Sequence, residues 1–187
     1  MKPIDIHWQD SYGNTQLSNA GWDGDVSLIQ KLLDAGADIN APSYKGHTAL
    51  AQAAFNGKAE ACRHLISRGA NVNLGREETS ETPLHCATVK KHSATIQVLL
   101  SGGADPNSRT KPGIITELLY CNVLTCGETP LHLAAAYCEI DDIRRLIEAG
   151  ADLAAATEHG ETAYQWAGKF WRGTEIYELL NPHRVKK

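Results

Sequence analysis

The apolar residues of this 187-residue chain recur with a long period rather than a short one. Set in register on Thr15, Thr48, Thr82, Thr129 and Thr162, which stand 33, 34, 47 and 33 residues apart, the sequence falls into columns. Two residues after each threonine stand Leu17, Leu50, Leu84, Leu131 and Tyr164. Five after stand Ala20, Ala53, Ala87, Ala134 and Ala167, and six after only small residues: Gly21, Ala54, Thr88, Ala135 and Gly168. Fourteen after come Ile29, Cys62, Ile96, Ile143 and Ile176, followed by apolar pairs such as Leu32-Leu33 and Leu146-Ile147. Gly36, Gly69, Gly103 and Gly150 close four of the units, and His183 takes that place in the fifth. A period of this length marks a repeat architecture.

Each column has a physical reason. A threonine ahead of an apolar run is a helix N-cap, its hydroxyl able to accept from an orphan backbone N–H. Pro83 and Pro130 follow at the first helical position, where a missing N–H costs nothing. The alanines and small residues let neighbouring helices approach closely. The second helix carries one apolar stripe, as in Ile143, Leu146 and Ile147. The glycine after it suits a left-handed C-cap. The unit predicted is helix, tight link, helix, glycine-capped turn. Lys91 and Cys138 fall where Gly24 and Gly57 form the link, an expected cost wherever the backbone needs φ > 0. One helix pair cannot bury its apolar face alone, so the units must stack.

The runs TPLHCA at Thr82–Ala87, TPLHLAAA at Thr129–Ala136 and LLDAGADIN at Leu32–Asn40 resemble the ankyrin-repeat family. The resemblance covers about residues 10–181 and implies an all-α solenoid forming a single domain. Its repeats are expected near 10–42, 43–76, 77–109, 124–156 and 157–187. The terminal units depart from the family pattern, reading TQLS and TAYQ, as capping repeats do. The spacing of 47 exceeds 33 by 14, which places an insertion near 110–124 in the finger between the third and fourth repeats. Its apolar residues, among them Ile114, Ile115, Leu118, Tyr120 and Val123, mark either an interaction device or a hairpin or short helix that covers the groove. Finger insertions of this kind resemble those of some small bacterial ankyrin proteins.

In that family partners contact the finger tips and the inner side of the first helices. Carried over by position, the inner sites are seven and eight residues after each threonine. They include Trp22, Asp23, Phe55, Asn56, Lys90, Tyr137 and Phe170. Four of the five repeats place an aromatic there, although aromatics make up only 6% of the chain. The finger tips supply Tyr12, Tyr44, Lys45, His47, Glu78, Glu81, Glu128, Glu158 and Glu161. These acidic fingers favour a basic partner segment.

The net charge is −4, with Arg184, Lys186 and Lys187 concentrating positive charge at the end, so a nucleic-acid partner is not expected. No apolar run reaches the length of a membrane span and the first residues carry no apolar signal core, which predicts an intracellular, soluble monomer. Five irregularly spaced cysteines suit a reducing compartment. His85 and His132 share one repeat column and are expected to bond backbone or the capping threonine. Cys121 and Cys126, with His132 and Cys138, lack the close paired spacing of a zinc site. No phosphate loop, nucleophile elbow or HExxH is present, so no catalytic residue, cofactor or metal is expected. The function implied is binding of a partner protein or peptide. A bacterial effector or toxin-immunity role would use the same surface, and a metal- or redox-dependent role would use the Cys/His-bearing insertion.

Overall fold

The computed structural model describes residues 5–43, 46–116 and 123–182, with backbone alone at 115–116 and 123–124. The described residues form ten α-helices in five pairs. The pairs are α1 Gln16–Asp23 with α2 Val26–Asp34, α3 Ala49–Phe55 with α4 Ala59–Ser67, and α5 Pro83–Val89 with α6 Ser93–Ser101. They continue as α7 Pro130–Tyr137 with α8 Ile140–Glu148, and α9 Ala163–Lys169 with α10 Thr174–Leu180. First helices stack on first helices and second on second, giving the two-layered solenoid that the columns demand. The core runs unbroken between the layers through Leu17, Ile29, Leu50, Leu65, Leu84, Ile96, Leu131, Ile143 and Leu180. At Gly21 the helices approach so closely that an added Cβ would collide with the Ala49 carbonyl.

The turn chemistry follows the sequence with two exceptions. Gly36, Gly69, Gly103 and Gly150 adopt φ of 88–94°, the left-handed cap expected after a second helix. Lys91 is also left-handed, with φ of 60°, and carries a side chain in a conformation that suits glycine. Replacing Lys91 by glycine is expected to raise stability by up to about 1 kcal/mol, part of the relief being offset by the freer unfolded chain. A urea titration of both proteins measures the difference. Cys138 does not fit the expectation: its φ is −88°, so a glycine there would relieve nothing. Its buried thiol instead donates to the Thr88 carbonyl at 3.1 Å, tying the fourth pair to the third. The fifth link, residues 170–173, is the longest of the five, and the buried stripe shifts from the i, i+3 spacing of Ile29 and Leu32 to the i, i+4 spacing of Ile176 and Leu180.

The capping threonines divide into two kinds. Thr15 and Thr48 accept from the backbone N–H groups of Ser18 and Ala51 at 3.0 and 3.2 Å. At Thr82 and Thr129 a histidine enters the cap. His85 Nδ1 accepts the Thr82 backbone N–H at 3.2 Å, and the Thr82 hydroxyl lies 2.9 Å from the same nitrogen. This leaves the proton on Nε2, which donates to the Glu128 carbonyl at 3.2 Å in the next repeat. His132 repeats the arrangement on Thr129 and the Glu161 carbonyl. Asparagines do the same work at the other end of the first three units. Asn40, Asn73 and Asn107 accept from the backbone N–H groups of Asn71, Asp105 and Asp152, each one repeat further on.

The insertion forms a short hairpin at its base. Strand β1, Ile115–Thr116, pairs antiparallel with β2, Val123–Leu124, with Ile115 opposite Leu124. The Thr125 hydroxyl donates to the Lys111 carbonyl and accepts from the Ile114 backbone N–H at 3.3 Å, and the Lys111 backbone N–H donates to the Thr79 carbonyl at 2.8 Å. The apolar residues Leu118, Leu119 and Tyr120, and Cys121, lie outside the described residues.

Candidate protein-binding surface

The first helices bring the aromatic column together as a ridge. Trp22 at the end of α1 stacks on Phe55 at the end of α3, with ring centroids 5.9 Å apart and planes 25° apart. In the third repeat the ring is replaced by a cation: Lys90 Nζ stands 4.3 Å from the Phe55 centroid. In the fourth and fifth repeats Tyr137 and Phe170 meet edge to face at 5.3 Å, and Trp166 backs Phe170 at 6.0 Å. Two adjacent positions, seven after the threonine in the first two repeats and eight after it in the other three, thus carry ring, ring, cation, ring, ring. Trp22 keeps 46% of its surface exposed and Phe170 41%, so neither end of the ridge is packed away. Phe55 and Tyr137 are half-buried against the core. Asp23 is exposed, whereas the Asn56 amide is turned back onto the Gln52 carbonyl at 3.2 Å.

The finger tips are less uniform than their sequence positions suggest. Tyr12 is 75% exposed on a turn held by Asp10. The Asp10 carboxylate accepts from Asn19, Asn14 and Tyr12, and these bonds, that from Asn19 foremost, draw its pKa down to about 2. His47 is half-buried beside Ser43, and Tyr44 and Lys45 lie outside the described residues. Glu78 is exposed and pairs with Arg76 at 3.2 Å, and Glu158 is exposed at the last finger. Glu161 is half-buried in an ion pair with Lys169, which holds its carboxyl below the usual range.

Glu81 and Glu128 depart from the expected acidic rim. They are 1% and 4% exposed, so neither carboxylate faces a partner. Glu81 folds back to accept from the Thr79 hydroxyl at 2.9 Å. Glu128 accepts from the Thr110 hydroxyl and from the Cys126 backbone N–H at 3.1 Å, and its own N–H donates to Thr110 Oγ1 at 3.0 Å. Both are internal braces of a finger. Their burial is satisfied by hydrogen bonds, as a buried carboxylate requires.

Residues 10–110 match the family model for ankyrin repeats in three copies, and residues 126–155 match that for the single ankyrin repeat. The chain belongs to the ankyrin-repeat family. Ankyrin repeats are generally protein–protein interaction modules. No curated protein matches this ankyrin chain.

Three of the four described cysteines, Cys62, Cys86 and Cys138, are buried. Among the described residues no group of three or more His, Cys, Asp or Glu is placed to hold a metal ion. Cys62 and Cys138 are buried, and burial pushes each thiol up to about 12. Cys126 is also raised to about 12, first by burial and then by the Glu128 carboxylate 3.4 Å away. Cys121, the other cysteine of the insertion, lies outside the described residues. No described helix is long and apolar enough to cross a membrane. An exposed tryptophan lies outside the expected contact positions. Trp171 is 94% exposed with φ of 53°, directly after Phe170. Its signal was present in the sequence: a tryptophan occupies the link position that Gly24 and Gly57 hold.

Proposed function

We propose that this ankyrin chain works by binding another protein or peptide in the concave groove of its first helices and between its finger tips, and that it has no catalytic role. The observation that carries the reading is the exposed aromatic ridge. Large aromatics left half in water are anchors in search of a pocket or a peptide, and such anchors dominate interface energetics. Asp23 on the first helix and Glu158 on the last finger are exposed, and a partner with a basic segment answers their charge.

The test uses the full chain as bait in lysate of its source organism, beside a variant carrying Trp22→Ala and Phe170→Ala, the two exposed ends of the ridge. A captured protein is then identified and its affinity measured. Circular dichroism verifies that both baits are folded. The expected result is at least a tenfold weaker affinity for the double variant, since loss of one such anchor costs 1–2 kcal/mol or more. Equal affinity would remove the ridge from the interface. No captured protein would remove the binding reading itself.

A further inference from the structure

The ridge already contains one example of what it accepts. Trp22 lies against Phe55 at 5.9 Å and Lys90 Nζ stands 4.3 Å from the Phe55 centroid. Trp22 belongs to the repeat before Phe55 and Lys90 to the repeat after it, so the ring is flanked by a neighbour from each side. The chain's own cation therefore closes Phe55 to a partner. Trp22 is one step further along the same ladder. It is nearly half exposed, and the exposed carboxylate of Asp23 follows it at the end of the same helix. An indole face is the strongest of the aromatic cation acceptors. A planar, weakly hydrated guanidinium stacks on it better than a strongly hydrated ammonium does. The net charge of −4 favours the approach of such a group.

We propose that Trp22 receives an arginine side chain of the partner, with the guanidinium stacked on the indole and Asp23 answering its charge. This rests on the protein-binding reading and narrows it to an arginine-bearing segment engaged at the N-terminal end of the groove. Lys90 is then an internal placeholder. It repeats on Phe55 the contact that the partner makes on Trp22, and so fixes where along the ladder the arginine sits.

The experiment titrates the ¹⁵N-labelled full chain with acetyl-arginine-amide and, separately, with acetyl-citrulline-amide, which has the same shape without the charge. The indole N–H of Trp22 is the reporter, assigned by its loss in Trp22→Phe. Arginine is expected to shift that signal with an affinity at least about fivefold tighter than citrulline. Asp23→Asn is expected to reduce the difference about two- to threefold. Trp22→Phe keeps the packing on Phe55 and is expected to weaken arginine binding, read from the neighbouring amides. Lys90→Met is expected to leave the Trp22 site intact and to add a second arginine response at Phe55. Equal responses to the two probes, no response, or shifts confined to Glu78 and Glu158 would overturn the proposal. If the bait variant loses its captured partner while arginine ignores Trp22, the inference fails and the binding reading stands. If the bait captures nothing, the binding reading fails whatever arginine does.

Discussion

Between pH 7.5 and pH 4.5 the folded chain is expected to lose roughly 2–3 kcal/mol of stability through His85 alone. The ring is fully buried, and burial first of all lowers its pKa from 6.5 to about 4, against the opposing pull of Glu128 and Asp105. Geometry acts in the same direction. Nδ1 accepts the Thr82 backbone N–H at 3.2 Å, and a proton placed there would face that donor. The unfolded chain binds the proton near pH 6.5 and the native state only near pH 4. Stability is therefore full above about pH 6.5 and falls as the pH drops from there toward 4. His132 is lowered by burial as well and adds to the loss. Urea midpoints taken from pH 7.5 to 4.5 read the slope. His85→Gln is the informative variant, because Gln165 already fills the same place at Thr162, accepting its N–H at 2.7 Å. That variant should start less stable, having lost the bond to Glu128, and should show a shallower acid dependence. A slope equal to that of the parent would assign the acid sensitivity elsewhere.

Glu128→Ala is expected to destabilise the chain by about 3 kcal/mol. The carboxylate is buried and accepts from the Thr110 hydroxyl and the Cys126 backbone N–H. Removing it strands the Thr110 hydroxyl in a buried site and the Cys126 N–H in a part-buried one, and the two penalties add. The loss should be local before it is global. Thr110 and Cys126 flank the insertion, so the amides of Gly113 and Thr125, which bond across its base, should exchange faster with solvent than those of the core helices. Chemical denaturation gives the total and hydrogen exchange the place. A change below about 0.5 kcal/mol would mean that the finger does not depend on this brace.

The fold was legible because its information is local and repeated. The threonine, alanine and glycine columns each specify a contact with the adjacent unit, and five copies confirm one another. His85 and His132 were legible for the same reason, as one column with one task. What the columns could not specify was direction. Glu81 and Glu128 occupy tip positions, yet a carboxylate can reach outward or fold back onto a hydroxyl. Thr79, two residues before Glu81, was a usable signal. Thr110 stands 18 residues from Glu128, on the other side of the insertion, and no spacing rule points to it. Cys138 failed differently: the fourth link takes another backbone path, which fixed-column arithmetic assumes away. Among the proposed contact residues the ring positions followed from the repeat, whereas the seat of Lys90 on Phe55 depends on the step between neighbouring helices.

The closed base of the insertion has a consequence for protein engineering. Lys111 is fastened to Thr79, Thr125 to Lys111 and Ile114, and Ile115 pairs with Leu124. The ends of the excursion are thus brought together by the scaffold itself. Once ends are held, lengthening the chain between them adds little to the entropic cost, about 0.6 kcal/mol for each doubling. The segment beyond the Ile115–Leu124 rung is therefore a natural graft point. A foreign peptide spliced there would be displayed from the finger between the third and fourth repeats while the helix stack keeps its own register.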